Sequence, residues 1–273
     1  MSREQEYYEN PDLWTLERYG AADQERIATL AENLPQHVTT LVDVGCGNGL
    51  FLKHLSDMKG RHFERLCGTD RSAAALAGVQ SEKVLASIDA LPFGNGEFDA
   101  VTSMEVLEHL PQPTYLCALH ELSRIARQYI LVSVPFNEQL RRSLVECTKC
   151  CCRFNPSYHL RAFGKPTIQH LFDDKGFTCR EVFYIHSQRV VPTEAEALLS
   201  LLGVAKRAVL GELGPPLMPG HTICPACGYS PAAGAKESAG LAMPPPRTIG
   251  IMIRSLLSVR SSWRWIAALY ERA

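Results

Sequence analysis

Asp43, Gly45 and Gly47 belong to a short glycine-rich stretch, DVGCGNG, that follows the β-rich run VTTLV. Glycine lets the backbone turn tightly and approach a ligand with no Cβ in the way, and the helix predicted next offers free backbone N–H groups. In an open α/β sheet such a turn lies at the carboxyl ends of the strands, where ligands bind. The stretch therefore predicts a cofactor site, and a plain strand–helix turn without a ligand is the alternative.

Two aspartates follow at positions that suit a nucleoside. Asp70 ends the next predicted strand, RLCGTD, and a carboxylate there can accept hydrogen bonds from both ribose hydroxyls. Asp89 and Ala90 follow the third predicted strand, where a side-chain acceptor and a backbone N–H could read the edge of an adenine. The two positions strengthen the prediction of an adenosine-containing cofactor.

A cluster of proton-transfer groups, Glu105, Glu108 and His109, follows the fourth predicted strand in the string MEVLEHL. It places two carboxylates and an imidazole within little more than one helical turn. A hydroxyl nucleophile would need such a base to remove its proton, or a metal ion to lower the pKa of the hydroxyl group. Packing or simple hydrogen bonding is the alternative interpretation, and both stay open.

Two cysteine pairs, Cys147-x-x-Cys150 and Cys224-x-x-Cys227, have the spacing of zinc knuckles. Two such turns can direct four thiolates at one ion, so we expect a closed structural zinc site. Neighbouring cysteines at 151 and 152 leave the choice of ligands in the first turn open, and redox-active or merely buried thiols are the alternative. The acidic N-terminus lacks the apolar core of a secretory signal, so we expect a cytoplasmic protein with reduced thiols.

Strands and helices alternate along the middle of the chain: RLCGTD, KVLASIDA and YILVSVP are typical of strands, and residues 114–127 of a helix. Such alternation predicts an α/β fold with helices on both faces of a parallel sheet. We divide the chain into an N-terminal helical cap (1–36), a cofactor-binding domain with a cysteine-bearing insertion (37–230), an Ala-, Gly- and Pro-rich linker (231–248) and an amphipathic C-terminal helix (249–273).

The overall composition is that of an ordinary soluble protein. Of the 273 residues, 46% are hydrophobic and 21% charged, and the net charge of −1 gives no global reason to expect a nucleic-acid partner. No apolar run is long enough to span a bilayer. The apolar, tryptophan-bearing and arginine-rich segment 249–271 suits a helix at a membrane interface, and a helix docked on protein is the alternative.

The ordered set DVGCGNG, GTD, SIDALPF, FDAVTSMEVLEHL and ILVSVP resembles the class I S-adenosylmethionine (SAM)-dependent methyltransferases, including the type 11-like group, over about residues 38–185. The resemblance implies a doubly wound Rossmann-like methyltransferase sheet, mostly parallel with an antiparallel last strand. It also implies cofactor contacts by Asp43, Gly45, Gly47, Asp70, Asp89, Ala90 and Met104. A nicotinamide dehydrogenase is the main competitor, but the loop is GxGxG rather than GxGxxG.

The ExxEH string resembles those of ubiquinone-pathway O-methyltransferases and of small-RNA 2′-O-methyltransferases, where it helps to hold a divalent ion. In the RNA enzymes a later histidine completes the site, and His159 in YHLRAF stands at a comparable position. Glu105, Glu108, His109 and His159 are thus the candidate catalytic residues, with Mg or Mn as a candidate ion. We expect O-methylation of a small-molecule, glycan or lipid-linked substrate. The alternatives are an RNA 2′-O-methyltransferase, an NAD-dependent oxidoreductase and an inactive SAM-binding scaffold.

Overall fold

The computed structural model describes residues 3–15, 19–141, 143–190, 218, 222–231 and 260–273. The chain divides into two compact units. The first unit comprises Met1–Arg142, Ser157–His186 and Arg264–Ala273, and the second comprises Ser143–Pro156 and Ser187–Trp263. Each unit is thus assembled from stretches that are distant in sequence.

Nine strands and six α-helices are found in the described residues. The strands are β1 (Thr40–Val44), β2 (Arg65–Asp70), β3 (Glu82–Leu85), β4 (Phe98–Met104), β5 (Ala126–Pro135), β6 (Val145–Glu146), β7 (Arg153–Phe154), β8 (Phe177–Val190) and β9 (Arg260–Arg272). The helices are α1 (Arg3–Tyr8), α2 (Ala21–Glu32), α3 (Leu50–Asp57), α4 (Ala73–Leu76), α5 (Gln112–Ile125) and α6 (Lys165–Gln169).

The main sheet has seven strands in the order β3-β2-β1-β4-β5-β9-β8. Strands β1 to β5 pair in parallel, and β9 runs antiparallel to β5. The predicted Rossmann-like sheet, mostly parallel with an antiparallel last strand, is therefore confirmed. Residues of β5 such as Ile130, Leu131 and Val132 are fully buried because apolar residues cover the sheet on both faces.

Parallel pairing brings the carboxyl ends of β1, β2 and β4 to one edge of the sheet. Asp43 pairs in register with Gly68 of β2 and with Thr102 of β4. The turns that leave these three strands carry the glycine-rich stretch, Asp70 and the ExxEH string, so residues far apart in sequence meet here. This edge is where ligands bind in open α/β sheets.

The predicted C-terminal helix is wrong over residues 260–272, which form β9. Ile266 pairs with Val134 and Leu269 with Leu131, and the side chains of residues 265–270 are all buried. A short apolar run that is buried on both faces cannot be told from a helix by periodicity alone. The buried side chains are unavailable for the expected membrane contact. The rest of that segment, residues 249–259, lies outside the described residues.

The second unit contains a small β-hairpin. Strands β6 and β7 pair antiparallel, with Val145 opposite Phe154 and Glu146 opposite Arg153, whose side chains form an ion pair of 2.8 Å. The first cysteine pair lies in the turn of this hairpin. The linker predicted over 231–248 falls outside the described residues except for Pro231. Among the helices that are described, none is long and apolar enough to span a bilayer.

Candidate functional sites

The glycine-rich turn after β1 depends on left-handed backbone at Gly45 and Gly47, where φ is 77° and 54°. A Cβ on Gly45 would lie 2.3 Å from Cγ2 of Val106, so only glycine fits there. The backbone N–H groups of Gly45 and Cys46 donate to the carbonyl oxygen of Thr69 at 2.7 and 3.0 Å. These bonds fix the turn against the end of β2.

Asp70 joins the two turns. Its Oδ2 accepts a hydrogen bond from the N–H of Gly47 at 3.0 Å, and its Oδ1 accepts one from the N–H of Ser72 at 2.9 Å. Burial raises the pKa of Asp70, while the two backbone donors oppose that rise. The carboxylate is therefore held rigidly beside the glycine-rich turn.

A cavity of about 320 Å³ lies at this edge of the sheet, a volume that suits a small-molecule cofactor. Five of the seven predicted cofactor residues line it: Asp43, Gly45, Gly47, Asp70 and Met104. Asp89 and Ala90 are not among the lining residues, and Ala86 and Ile88 of the same segment are. The structure thus brings together most of the predicted cofactor residues, but not the pair expected at the adenine.

Asp43 is buried at the end of β1, where its Oδ1 accepts a hydrogen bond from Oγ1 of Thr102 at 2.7 Å. Burial raises the pKa of Asp43 to about 7, against the lowering effect of the Thr102 hydrogen bond, and the negative charge of Asp70 adds to the rise. A carboxyl group with this pKa changes between its protonated and ionised forms near neutral pH.

Glu105 is held by two residues that the sequence analysis missed. Its Oε2 accepts a hydrogen bond from Nε1 of Trp265 in β9 at 2.7 Å, and its Oε1 lies 3.3 Å from Nη1 of Arg26 in α2. The Arg26 guanidinium stacks 4.7 Å above the Trp265 ring. Among the described residues, Arg26 Nε and Nη1 have no partner in hydrogen-bond geometry, although Arg26 lines the cavity. The sequence did offer one indication of Arg26, because a charged residue stands next to Ile27 on the buried face of α2.

The other candidate catalytic residues, Glu108, His109 and His159, come together. Each offers a ligand atom within 4.8 Å of the others, and Glu105 is not in this group. The His109 and His159 rings are 4.6 Å apart, and His109 Nε2 is 3.9 Å from Glu108 Oε1. Leu160 N–H donates to the Glu108 carbonyl at 2.8 Å, which fixes the His159 segment against this turn.

Burial dominates the electrostatics of this cluster. Glu108 is fully buried, and neither carboxylate oxygen has a hydrogen-bond partner among the described residues. Burial therefore raises its pKa well above the usual range, and the charge of Glu105 adds to the rise. Burial also lowers the pKa of His109 to about 3, with a contribution from the neighbouring His159. A carboxyl group buried in this way is either protonated or paired with a bound cation.

Each histidine has a partner at Nδ1. The Tyr8 hydroxyl lies 3.1 Å from Nδ1 of His109, and the Glu138 carboxylate bonds to Nδ1 of His159. Tyr8 and Glu138 were not predicted, because they lie in segments with no motif of their own. His109 also interacts with the backbone of Ser157 and Tyr158.

In the second unit, the four predicted zinc ligands form one cluster. The Sγ atoms of Cys147 and Cys227 are 3.7 Å apart, and those of Cys150 and Cys224 are 3.6 Å apart. Four sulfurs at the usual Zn–S distance around a tetrahedral ion would be separated by roughly 3.8 Å, whereas bonded sulfurs lie about 2 Å apart. The spacing suits a shared metal ion.

The two cysteine turns have the same pattern of backbone hydrogen bonds. In the first, the Cys151 N–H donates to the Cys147 carbonyl and the Cys147 N–H to the Cys152 carbonyl, both at 2.9 Å. In the second, Gly228 N–H donates to the Cys224 carbonyl at 2.9 Å and Cys224 N–H to the Tyr229 carbonyl at 2.8 Å. Cys151, at φ 58°, thus occupies the left-handed position that Gly228 occupies at φ 71°.

Sequence comparison gives one family match and two relatives that agree with it. A family model described as "Methyltransferase domain" matches residues 16–182. The ubiquinone biosynthesis O-methyltransferase of Paraburkholderia xenovorans is 28% identical over 165 residues, which cover 51% of this chain and 69% of the relative. The enzyme of the same name from Xanthomonas axonopodis is 33% identical over 104 residues, covering 34% and 42%.

Structural comparison agrees on the fold. A SAM-dependent methyltransferase from Archaeoglobus fulgidus superposes with a TM-score of 0.50 at 15% identity, covering 91% of this chain and 94% of that one. The [4+2]-cyclase SpnF also gives a TM-score of 0.50 at 15% identity, covering 92% and 81%. Since two differently named activities share this fold, the fold alone does not identify the reaction.

Proposed function

We propose that this chain, which belongs to the methyltransferase domain family and is a SAM-dependent methyltransferase, transfers the methyl group to an oxygen atom. The acceptor would be a small-molecule, glycan or lipid-linked hydroxyl. The observation that carries the proposal is the cluster of Glu108, His109 and His159, because an alcohol must lose a proton as its oxygen attacks. The names of the relatives, O-methyltransferases of ubiquinone biosynthesis, support it.

We infer a placement of SAM along the cavity. Asp70 would bind the ribose hydroxyls, with Gly45 and Gly47 giving the close backbone approach. Arg26 would bind the methionyl carboxylate, because the residue lines the cavity and its Nε and Nη1 make no hydrogen bond among the described residues. Asp43 and Met104 would lie near the methionyl end. Asp89 and Ala90, which follow Ile88 of the cavity wall, stay our proposal for the adenine.

In the proposed reaction the acceptor oxygen forms a bond to the methyl carbon while the S–CH3 bond breaks. The products are a methyl ether and S-adenosylhomocysteine (SAH), and the hydroxyl proton passes to a base. Alignment of the two reactants accounts for most of the rate, and proximity of this kind is worth about 7–11 kcal/mol. His159 is the better base, because Glu138 holds its Nδ1 while burial lowers the pKa of His109 to about 3.

Calorimetric titration with SAM tests the cofactor assignment without knowledge of the acceptor. We expect one site per chain in the wild type and a loss of affinity of roughly tenfold or more in Asp70→Ala, since hydrogen bonds to a charged group are worth about 1.5–3 kcal/mol. Asp57→Ala is the matched control, because Asp57 is exposed and, among the described residues, forms its ion pair with Lys53. Binding of NADH in place of SAM would contradict the assignment.

A screen with methyl-labelled SAM tests the acceptor class. Separate pools of small metabolites, glycans, lipid-linked precursors and short RNAs would be incubated with the protein, and the labelled product identified by mass spectrometry. Label recovered as a methyl ether on a non-RNA hydroxyl is the expected result. Label on nitrogen or sulfur would exclude O-methylation, and label on ribose 2′-oxygens alone would favour the RNA alternative.

The RNA alternative has one observation in its favour: His159, at the position of the later histidine that completes the ion site in the RNA enzymes the string resembles, lies close to Glu108 and His109. Two carboxylate oxygens without partners and two imidazoles fit Mg²⁺ or Mn²⁺. An ion held there would polarise an acceptor hydroxyl. Titration with Mn²⁺, followed by the electron paramagnetic resonance of the free ion, tests the site. Retention of Mn²⁺ by the wild type and by Glu64→Gln, an exposed control, but not by Glu108→Gln, would establish it.

For the second unit we propose a structural zinc ion bound by Cys147, Cys150, Cys224 and Cys227. Four thiolates close the coordination sphere, so the ion would stabilise this unit and leave no position for a substrate. We infer that Cys151 belongs to the turn and not to the ligand set, because it is left-handed like Gly228 and lies outside the cluster of four cysteines.

Elemental analysis of freshly purified protein should give about one zinc per chain in the wild type. Cys150→Ser should lose it, while Cys151→Gly should keep it, since glycine suits the left-handed position. Zinc-free wild-type protein, or loss of zinc in Cys151→Gly with retention in Cys150→Ser, would overturn the assignment.

A further inference from the structure

The segment formed by residues 3–15 precedes the matched methyltransferase domain, which starts at residue 16, yet it touches three motif turns of the cofactor site. Asn48 Nδ2 donates to the Trp14 carbonyl at 2.9 Å, and Ser72 Oγ donates to the Tyr8 carbonyl at 2.8 Å. The Tyr8 hydroxyl reaches His109. We call residues 3–15 the clasp.

Within the clasp, Trp14 packs over the glycine-rich turn. A Cβ on Gly47 would lie 2.8 Å from Cζ3 of Trp14, so the indole packs directly on the glycine. Trp14 Nε1 also donates to the Tyr8 carbonyl at 2.8 Å, and that carbonyl accepts from Ser72 as well. Both aromatic residues line the cavity. Trp14 and Tyr8 are thus fastened to each other and to two of the turns that form the cofactor site.

Tyr8 connects the clasp to His109, one of the candidate catalytic residues. Its ring meets the His109 ring edge-to-face with centroids 5.9 Å apart, and the Arg71 guanidinium lies 5.1 Å from the Tyr8 ring. The hydroxyl at Nδ1 restrains the orientation of the His109 ring. The state of one ring nitrogen determines what the other can offer, and Nε2 is the nitrogen that faces Glu108.

From this geometry we propose that the clasp completes the cofactor site, with Trp14 as a cofactor-binding residue and Tyr8 as the positioning residue of His109. The proposal rests on the proposed SAM site. A cofactor seated against Trp14 would hold the clasp closed and so keep Tyr8 on His109. The orientation of His109 would then depend on an occupied cofactor site.

Titration with SAH tests the role of Trp14, since it needs no acceptor. We expect Trp14→Ala to bind roughly tenfold more weakly than the wild type, with Trp14→Phe between them, because alanine removes the aromatic contact and its buried area, whereas phenylalanine keeps part of each. Melting curves of each variant would identify one that fails to fold, and Trp14→Phe keeps the test usable. Equal affinity in all three proteins would overturn the role of Trp14. Absence of binding to the wild type would instead refute the proposed SAM site.

The role of Tyr8 is tested by imidazole ¹⁵N spectra of protein labelled at its nine histidines. The His109 signals, assigned by their loss in His109→Gln, should move in Tyr8→Phe and stay in place in Tyr129→Phe, a control outside the clasp whose hydroxyl lies beside Glu271. Tyr8→Phe should bind SAH within about twofold of the wild type, because the ring and the Tyr8 carbonyl remain. Unchanged His109 signals in Tyr8→Phe would refute the positioning role even if the clasp binds the cofactor.

Discussion

Asp43 is a buried carboxyl group beside a site proposed for a cationic cofactor. Folded Asp43 keeps its proton up to about pH 7, whereas the carboxyl group of the unfolded chain loses it near 3.8. The folded state therefore binds more protons between these values. The contribution of Asp43 to stability is full below about pH 4, falls as pH rises, and levels off above about pH 7.

Binding of SAM should release a proton from Asp43. The sulfonium and ammonium charges of the cofactor favour the ionised carboxylate, so they lower its pKa, and affinity should rise with pH up to about 7. Calorimetry at pH 6.5 in buffers with different ionisation enthalpies measures this release. We expect it in the wild type and not in Asp43→Asn. Identical proton release in both proteins would contradict the prediction.

Arg26 should contribute to binding only through the methionyl part of the cofactor. We expect Arg26→Gln to weaken SAH binding by about tenfold or more, given about 1.5–3 kcal/mol for hydrogen bonds to a charged group. Methylthioadenosine, which lacks the amino-acid moiety, should bind the variant and the wild type equally. Calorimetric titration with both ligands makes the comparison. A similar loss for both ligands would mean that Arg26 supports the cavity as a whole.

At the residue scale, the sequence predicted the motif residues and missed their partners. Gly45, Gly47 and Asp70 were predictable because local spacing places each at the end of a strand. Arg26 and Tyr8 reach the site from outside the motifs, and only the packing of the N-terminal segments against the sheet shows it. A motif indicates where the chain turns. The residues that contact the motif depend on which distant segment packs over that turn.

At the element scale, β9 explains why the C-terminal prediction failed. Its apolar residues recur at helical spacing and arginines lie among them, but the six residues 265–270 are all buried. A strand between two others in a sheet covered on both faces has no polar face. The hydrogen-bonding partners that β9 finds in β5 lie more than a hundred residues earlier in the chain, so no local pattern could reveal them.

Ile266 and Trp263 distinguish the strand from a surface helix. Ile266 is fully buried in β9, whereas 40% of the Trp263 surface is exposed. Ile266→Asp should destabilise the protein by roughly 3 kcal/mol or more because it buries a charge without a partner, while Trp263→Asp should change stability far less. Urea unfolding of the two variants gives the comparison. On a helix the two positions would share a face, so equal effects would argue against β9.

At the scale of the whole molecule, the two candidate sites belong to different units. Every residue that lines the cavity belongs to the first unit, and the four clustered cysteines belong to the second. The shared zinc site predicted from the two cysteine pairs already joined residues 147–150 to residues 224–227. The sequence suggested an insertion within one domain, however, and not a separate unit whose second stretch begins at 187. Contacts between distant stretches define a unit, and composition along the chain does not report them.

Loss of the proposed zinc ion should therefore affect the second unit selectively. Cys224→Ser leaves three thiolates, and loss of a structural site removes its contribution to folding. Limited proteolysis should then cut the variant within residues 143–156 or 222–231 at protease levels that leave the wild type intact. The affinity for SAH should stay within about twofold, since the cavity residues are in the first unit. Mass spectrometry of the fragments and calorimetry supply the two measurements, with Cys179→Ser, outside the cluster, as the control. Loss of SAH binding together with zinc would mean that the cofactor site requires an intact second unit.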